Sequence, residues 1–257
     1  MGSKRIFITG ATDGIGLETA KKLKSLGHEV IVHGRNEKKL HSLEKELGVK
    51  SFRADLSKLS EVNSMIDSIL NTYTKIDVLI NNAGVFKISD PITKDGFDVR
   101  FVVNTFAPYL ITKRLLPILG VGRVINLSSA AQSSVDIDAM LGKKKLDHFE
   151  AYAQSKLAIT MWTRILAKEI GDDGPIMIAV NPASLLGTKM VREGFNTSGN
   201  DINIGVNILT SLALDDKHKT HSGEYYDNDN NRYAQPQADG SDDDKAKRII
   251  KTIEEVL

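Results

Sequence analysis

One pair of side chains in this sequence could exchange protons with a small molecule. Tyr152 precedes Lys156 by four residues in AYAQSKLAI, a segment with helical character, and residues four apart share one face of a helix. An ammonium beside a phenol lowers the pKa of the phenol from about 10, which makes it a better acid near neutral pH. Tyr109 and Lys113 repeat the spacing, so spacing alone does not distinguish a catalytic pair from a helix surface.

The elements that must position such a pair alternate along the chain. Short β-rich runs are separated by longer segments in which apolar residues recur every three or four positions, as at Ile15, Thr19 and Leu23. This alternation predicts an α/β fold, a Rossmann-type doubly wound parallel sheet of about seven strands flanked by helices on both faces. The carboxyl ends of parallel strands then share one rim, where ligands bind. The predicted strands are RIFITG, HEVIVHG, VKSFRAD, KIDVLINNAG, GRVINLSS, PIMIAVNPA and, more weakly, SGEYYDN.

Length and composition limit the classes of partner. The 257 residues contain no linker-like stretch, so we predict a single domain over 1–257. The 34 basic and 33 acidic residues leave a net charge of +1, which favours a small-molecule partner over nucleic acid or an anionic membrane. Cysteine is absent and the six histidines lack metal-ligand spacing, so no metal site is expected. Without a signal peptide or an apolar run of 18 residues, we expect a cytoplasmic protein with no membrane segment.

Three segments interrupt the alternation. Residues 130–150 and 184–200 follow predicted strands and are long enough to cover a ligand; we name 184–200 the lid segment. Its apolar side chains form either a wall around a hydrophobic substrate or only a packing surface against the sheet. A C-terminal extension, 227–257, is predicted as a polar loop and an amphipathic helix that begins near Ser241 or Asp242. The apolar residues of the lid segment are Leu185, Leu186, Met190, Val191 and Phe195.

A glycine-rich turn joins the first predicted strand to the first helix. Gly10, Gly14 and Gly16 permit tight turns and close approach of a ligand, and the helix N-terminus offers free N–H groups and a partial positive charge to a phosphate. The turn predicts a dinucleotide site, although the same glycines would also suit a turn that only packs helix against strand. Asp13 lies inside the turn and would repel a nearby phosphate.

The residue after the second strand distinguishes two dinucleotides. Arg35 lies 19 residues past Gly16, where an acidic residue would bind ribose hydroxyls and a guanidinium suits a 2′-phosphate. Glu37 is the acidic competitor, but it should already lie in the next helix. We therefore predict that NADP(H) is preferred over NAD(H).

Seven motifs in register connect these features. TGATDGIG, RADL, NNAG, the Asn of FVVNTFA, INLSS, YAQSK and NPA occur in this order between about residues 4 and 226. In these motifs the chain resembles the classical short-chain dehydrogenase/reductase family, and TKDGFD and YAQSKLA are most similar to its retinol dehydrogenase and WW-domain oxidoreductase branch. The resemblance implies an oxidoreductase that interconverts a carbonyl and an alcohol. It also implies a catalytic tetrad, Asn104, Ser128, Tyr152 and Lys156.

Hydride transfer gives each member of the tetrad a role. Reduction of a carbonyl builds negative charge on its oxygen, which Ser128 would stabilise and Tyr152 would protonate. Lys156 would lower the pKa of Tyr152 and bind the nicotinamide ribose, and Asn104 would hold a water that relays protons to Lys156. Ser129 is the alternative to Ser128, since alternation along a strand sends the two side chains to opposite faces; the family pattern selects Ser128.

The resemblance extends the cofactor site to other strand ends, with Asp55 near the adenine and the NNAG residues along the cofactor. Two departures concern the sixth strand end. Ala183 stands where the family usually has glycine, and Thr188 follows Pro182 by six positions rather than five, which leaves open its contact with the nicotinamide carboxamide. The predicted cofactor-binding residues are Gly10, Thr12, Asp13, Gly14, Ile15, Gly16, Arg35, Asn36, Asp55, Leu56, Asn82, Ala83, Gly84, Tyr152, Lys156, Pro182, Ala183 and Thr188.

Two alternatives accompany this interpretation. Tyr109 precedes the INLSS strand in a run with helical apolar spacing, which is typical of a packing helix rather than a second catalytic pair. A non-catalytic, NADP(H)-responsive binding protein is the alternative function, and an intact tetrad argues against it. Residues 96–119 and 152–170, the usual dimer face of the family, are expected to remain open to a homodimer.

Overall fold

The strands form one eight-stranded sheet in the order β3-β2-β1-β4-β5-β6-β7-β8. The structure, a computed structural model, describes residues 2–257. Every neighbouring pair of strands is parallel except β7 with β8. The strand order reverses beside β1, which creates the switch point where doubly wound sheets bind ligands. The strands are β1 (Arg5–Ile8), β2 (Glu29–Gly34), β3 (Lys50–Arg53), β4 (Val78–Asn81), β5 (Arg123–Leu127), β6 (Ile176–Asn181), β7 (Tyr225–Asp227) and β8 (Arg232–Ala234).

Helices cover both faces of the sheet because successive strand residues point to opposite sides. Ile6 and Ile8 pack in one apolar cluster with α1, α2 and α9, while Phe7 between them packs in a second cluster with α3, α5 and α7. This arrangement confirms the predicted fold class. Among residues 2–257, no helix is long and apolar enough to cross a membrane. The helices are α1 (Gly14–Ser25), α2 (Glu37–Leu47), α3 (Leu59–Thr72), α4 (Val99–Phe101), α5 (Ala107–Leu119), α6 (Ile137–Met140), α7 (His148–Ile170), α8 (Lys189–Phe195), α9 (Ile202–Leu214) and α10 (Asp243–Val256).

The last strand, β8, lies in a stretch that the sequence pattern assigns to a polar loop. Three residues in a polar segment carry little local signal for a strand. In the structure, Tyr226 of β7 lies opposite Tyr233 of β8, with the ring centroids 5.0 Å apart in an edge-to-face arrangement. Cross-strand aromatic pairs of this kind stabilise a sheet, so a contact between strands, not local sequence, forms β8.

The C-terminal helix α10 covers α5 and α7, the helix pair that we expected to remain open. Asp242 caps α10 as predicted. Ile249 and Ile253 of α10 are buried in the same cluster as α7, and the Tyr109 hydroxyl donates a 2.6 Å hydrogen bond to Glu254. Tyr109 is 2% exposed, as expected of a packing helix. An amphipathic helix of the same chain therefore covers part of the face that we expected to remain open, and homodimer formation stays a prediction.

Candidate active site

The glycine turn between β1 and α1 packs tightly against the NNAG segment that follows β4. Gly10 and Gly14 adopt left-handed backbone conformations, with φ of 66° and 56°. A Cβ at Gly16 would lie 2.3 Å from Nδ2 of Asn82, the amide that donates hydrogen bonds to the carbonyls of Thr9 and Gly10. Side chains at these positions would therefore distort the turn, and their absence leaves backbone N–H groups open to a phosphate.

His33 of β2 supports this turn, a role that the sequence analysis missed. Its Nδ1 accepts from the backbone N–H of Gly10 at 3.1 Å, and its Nε2 lies 3.0 Å from the carbonyl of Ala54. Both bonds require a neutral ring with the proton on Nε2. Burial lowers the pKa of His33 to about 4, which keeps the ring neutral near pH 7. Only the position of His33 at a strand end beside the turn could have indicated this role.

Asp13 in the glycine turn is paired, which answers the expected repulsion of a phosphate. Its carboxylate accepts a hydrogen bond from the backbone N–H of Gly14 at 2.8 Å and another from Nζ of Lys39 at 3.1 Å. Burial raises the pKa of Asp13, but the bonds from Lys39 and Gly14 outweigh burial and lower it. The carboxylate thus caps α1 and carries a counter-ion.

Arg35 lies beyond the end of β2, exposed and next to the glycine turn. The methyl group of Thr12 packs over Gly34, where a Cβ would lie 2.4 Å from it. Asn36 caps α2 by accepting from the backbone N–H of Lys39 at 3.0 Å. Glu37 is the first residue of α2, as predicted. Lys39 therefore brings a cation to the turn, and Arg35 directly follows the strand that packs beside it.

Asp55 and Leu56 follow β3 at the same rim of the sheet. The carboxylate of Asp55 accepts from the backbone N–H and the hydroxyl of Ser57, at 3.1 and 2.8 Å, while Leu56 is buried. Ile15, in the first turn of α1, is only partly buried. Carbonyl and carboxylate oxygens at this rim could accept from an adenine amino group.

Tyr152 and Lys156 lie one turn apart on α7, and their pKa values differ from the expectation. The Lys156 ammonium is 4% exposed, donates to the carbonyl of Leu127 at 2.7 Å and lies 5.6 Å from the centre of the Tyr152 ring. Burial lowers the pKa of Lys156 to about 8 and raises that of Tyr152, with a hydrogen bond from Ser129 acting against the rise. The prediction that Lys156 makes the phenol more acidic is wrong here, because burial dominates both groups.

Ser129, rather than Ser128, faces the Tyr152 phenol. The hydroxyl of Ser128 is buried against α7, 2.9 Å from the carbonyl of Lys156 and 2.7 Å from Oγ1 of Thr160. Ser129 is partly exposed, and its side chain acts to lower the pKa of Tyr152. Directly after β5, Ser128 therefore packs on the backbone of α7 and Ser129 lies nearer Tyr152, while the catalytic role assigned to Ser128 stays a prediction.

Asn104 lies in a π-helical turn, Val102–Phe106, which joins α4 to α5; such turns are frequent at functional sites. Its side chain accepts from the backbone N–H of Val85 at 2.8 Å and donates to the Val85 carbonyl and the Ser155 hydroxyl at 3.0 Å each. A Cβ at Gly84 would lie 3.5 Å from both Oδ1 of Asn104 and Nζ of Lys156. Asn104 thus fixes the NNAG segment beside Lys156, and its water relay stays a prediction.

The segment after β6 returns to the glycine turn. Pro182 is buried, and Ala183 has a φ of 129° in a region that favours glycine. Thr188 caps α8 through its hydroxyl, which accepts from the backbone N–H of Val191 at 3.3 Å. Its methyl group would lie 3.5 Å from a Cβ at Gly14. The lid segment therefore reaches the glycine turn. The contact of Thr188 with the nicotinamide carboxamide stays a prediction.

The apolar residues of the lid segment divide between packing and exposure. Leu186 and Val191 are 2% and 9% exposed, whereas Leu185 and Phe195 are 44% and 49% exposed. The ring of Phe195 stacks on Phe86 with centroids 5.4 Å apart. The packing interpretation therefore applies to Leu186 and Val191, while a substrate wall formed by the exposed side chains stays a prediction.

Phe86 connects the lid segment to the catalytic tyrosine candidate. Its ring lies edge-to-face with Tyr152, centroids 5.1 Å apart, while Phe195 stacks on it. A Cβ at Gly194 would lie 2.8 Å from the Phe86 ring, so glycine there permits the close approach of α8. The sequence analysis missed Phe86, although its position directly after NNAGV was a usable signal.

A dinucleotide-type glycine turn at the switch point of the sheet, with a buried lysine and a tyrosine beside it, defines an oxidoreductase of the Rossmann type. Residues 4–198 match the family described as short chain dehydrogenase. The chain belongs to this family of NAD(P)-dependent oxidoreductases, which confirms the resemblance. Among residues 2–257, no three His, Asp or Glu side chains form a group that could hold a metal ion.

Relatives of the chain include retinol dehydrogenases. Retinol dehydrogenase 13 of Mus musculus is 29% identical over 96% of this chain and 81% of its own length. Retinol dehydrogenase 12 of Mus musculus is 34% identical over 71% of this chain and 62% of its own length. These relatives confirm the branch that TKDGFD and YAQSKLA indicate.

Solved structures share the fold. A short chain dehydrogenase from Escherichia coli CFT073, complexed with NADPH, is 25% identical with a TM-score of 0.69, covering 88% of this chain and 97% of that one. A protein from Mycobacterium paratuberculosis is 24% identical with a TM-score of 0.82, covering 98% of this chain and 92% of that one. The second shows a likeness of fold alone.

Proposed function

We propose that this chain is an NADP(H)-dependent oxidoreductase that interconverts an aldehyde or ketone and the corresponding alcohol, with Tyr152 as the general acid and base. The observation that carries the proposal is the arrangement of Tyr152 and Ser129 next to the buried ammonium of Lys156, which borders Gly84 of the NNAG segment. The names of the retinol dehydrogenase relatives support an alcohol or carbonyl substrate.

The glycine turn fits a dinucleotide, because a Cβ at Gly10 or Gly16 would collide with the NNAG segment while the turn itself leaves room for phosphates. When bound there, the nicotinamide supplies or accepts the hydride. Gly84, which has no side chain, would leave space for it beside Lys156. Lys156, with a pKa near 8, carries its proton at pH 7 and can donate to a ribose hydroxyl.

Proton transfer to the substrate falls to Tyr152 in this proposal. Burial raises the pKa of Tyr152, so the phenol stays protonated near neutral pH and is ready to donate to an alkoxide, which is a much stronger base. The Ser129 hydroxyl can donate to the same oxygen and stabilise the negative charge that develops on it. In the opposite direction, Tyr152 would take the proton back from the alcohol.

The preference for NADP(H) over NAD(H) is supported by charge. Arg35 stands at the end of β2, and Lys39 neutralises Asp13 in the turn. A 2′-phosphate would accept charge-assisted hydrogen bonds from the guanidinium. The complex of the Escherichia coli CFT073 relative with NADPH is consistent with this preference.

A hydrophobic substrate is supported by the aromatic side chains next to Tyr152. The ring of Phe86 lies 5.1 Å from the ring of Tyr152, centroid to centroid, and Phe195 stacks on Phe86, so apolar surface borders the phenol. Because Phe195 is half exposed, a substrate with apolar bulk gains burial by packing against it. We therefore include apolar carbonyls and alcohols in the proposal.

Replacement of Tyr152 tests the proposal, with Tyr109 as a matched control. Tyr152→Phe is expected to keep NADPH affinity within about twofold and to lose turnover of a panel of aldehydes and ketones by a factor of about 100 to 10,000. Tyr109→Phe removes a hydroxyl at the same spacing from a lysine and should leave turnover unchanged. Unchanged turnover in Tyr152→Phe would reject the acid assignment. Tight NADPH binding by the unaltered chain without turnover of any carbonyl would favour the non-catalytic alternative.

A further inference from the structure

Ala183, directly before the lid segment, has a backbone conformation that a residue with a Cβ rarely adopts. Its φ is 129°, and Leu185 two residues later has a φ of 52°. Residues with such strained dihedral angles persist only where the surrounding structure holds them, and they are concentrated at functional sites. Some contact must therefore hold Ala183 in place.

The turn between β7 and β8 supplies this contact on both sides of Ala183. Asn228 donates from Nδ2 to the carbonyl of Pro182 at 2.9 Å. The carboxylate of Asp229 accepts from the backbone N–H of Ser184 at 2.8 Å and from the Ser184 hydroxyl at 2.5 Å. Two consecutive residues of one turn thus bind the residue before and the residue after the strained position.

The same turn is tied to the end of β6. Asp229 also accepts from Nδ2 of Asn181 at 2.8 Å, and the backbone N–H of Asn228 donates to the Asn181 carbonyl at 3.1 Å. Burial raises the pKa of Asp229, but the hydrogen bonds from Ser184 and Asn181 outweigh it and lower the pKa. Asp229 therefore acts as a carboxylate with several donors, which makes the turn a firm anchor.

A displacement at Ala183 would be transmitted to the site. The carbonyl of Ser184 accepts from Nδ2 of Asn200 at 3.0 Å, which links the two ends of the lid segment. Between these ends, Thr188 contacts the glycine turn and Phe195 stacks on Phe86. The conformation at Ala183 thus sets the path of the chain toward both contacts.

We propose that Asn228 and Asp229 are positioning residues that hold the strained Ala183 and so set the lid segment over the nicotinamide and substrate. The C-terminal extension thereby acquires a role beyond completing the sheet. This inference rests on the proposed function, since it assigns the lid segment to the same site.

The test compares four variants of the full chain: Asp229→Ala, Ala183→Gly, the double variant, and Asn230→Ala as the control. Asp229→Ala is expected to raise the KM for NADPH and for a bulky apolar aldehyde about tenfold, with kcat changed less than threefold, and to speed amide hydrogen exchange in the lid segment. Ala183→Gly alone is the reference for the double variant, because it changes position 183 while the Asp229 anchor is kept. Asn230 belongs to the same turn but donates only to Asp227, so its replacement should change neither constant.

The double variant carries the decisive result. Glycine adopts the required φ without strain. Ala183→Gly combined with Asp229→Ala should therefore bring KM to within about threefold of its value in Ala183→Gly alone, and amide hydrogen exchange in the lid segment should slow again. The inference is overturned if Asp229→Ala matches Asn230→Ala, or if glycine at position 183 gives no recovery. Should Asp229→Ala fail to fold, Asp229→Asn with and without Ala183→Gly provides the same comparison. Hydrogen exchange in the lid segment needs no turnover, so this measurement distinguishes a failure of the inference from a failure of the proposed activity.

Discussion

The hydroxyl of Ser128 donates a hydrogen bond to the backbone carbonyl of Lys156, at 2.9 Å. It therefore ties the end of β5 to α7, while Ser129 beside it faces Tyr152. We therefore expect Ser128 to stabilise the fold and Ser129 to serve the proposed site.

Alanine at each serine in turn separates these roles. Ser129→Ala should lower kcat/KM about 100-fold, because the developing charge on the substrate oxygen loses a donor, with little effect on the free energy of unfolding. Ser128→Ala should lower the free energy of unfolding by about 1 to 2 kcal/mol and leave kcat/KM within a fewfold. Urea unfolding and steady-state kinetics measure both. The reverse pattern would restore Ser128 as the catalytic residue.

The buried ammonium of Lys156 predicts a pH dependence. Because burial lowers its pKa from 10.5 to about 8, the unfolded chain binds more protons than the folded chain between pH 8 and 10.5. Stability from this group therefore rises with pH through that window, and at pH 7 the buried charge costs about 3 kcal/mol.

Lys156→Met removes that charge. The variant should lose turnover, be more stable than the unaltered chain at pH 7, and lose this advantage as pH approaches 10.5. Thermal unfolding of both proteins across pH 7 to 10.5 gives the difference, in which groups common to both cancel. A difference in the free energy of unfolding that does not change with pH would show that the pKa of Lys156 is not lowered in the folded chain.

Arg35 predicts a difference between two dinucleotides. Arg35→Ala should weaken NADPH binding by about 10- to 100-fold and NADH binding by less than twofold, since only NADPH carries the 2′-phosphate. Lys45→Ala removes one exposed charge from the far end of α2 and controls for a general loss of positive charge. Fluorescence titration of the unaltered chain and both variants measures the six affinities. Equal weakening of the two dinucleotides by Arg35→Ala would contradict the preference.

The aromatic stack predicts selection by substrate size and apolarity. Phe195→Ala should raise the KM of long-chain aldehydes by about 5- to 10-fold, because their apolar surface loses a partner, while the KM of a two- or three-carbon aldehyde stays the same. Leu26→Ala, which removes another half-exposed apolar side chain, is the control. Steady-state kinetics over a graded series would give parallel losses for small and large substrates if Phe195 only packs the lid segment.

The sequence predicted the sheet, its parallel order and the glycine turn, because each depends on local periodicity or on glycine conformation. It predicted that Ser128 and Ser129 point to opposite faces, but not which face meets Tyr152. That choice depends on how β5 sits against α7, a tertiary relationship that periodicity does not encode.

Two other features could not be predicted for related reasons. The amphipathic pattern of α10 indicates that one face is buried, but not that α7 buries it. The pKa of Tyr152 depends on the balance of burial against nearby donors, and burial is known only once the surrounding elements are placed. His33 and Phe86 likewise gain their roles from neighbours distant in sequence.

The cover that α10 provides has a practical consequence for anyone handling this protein. A chain that ends before residue 243 would lack Ile249 and Ile253, and the apolar face of α7 that they cover would be exposed to water. Such a product would aggregate or self-associate, and the resulting loss of activity would not by itself indicate a defect at Tyr152.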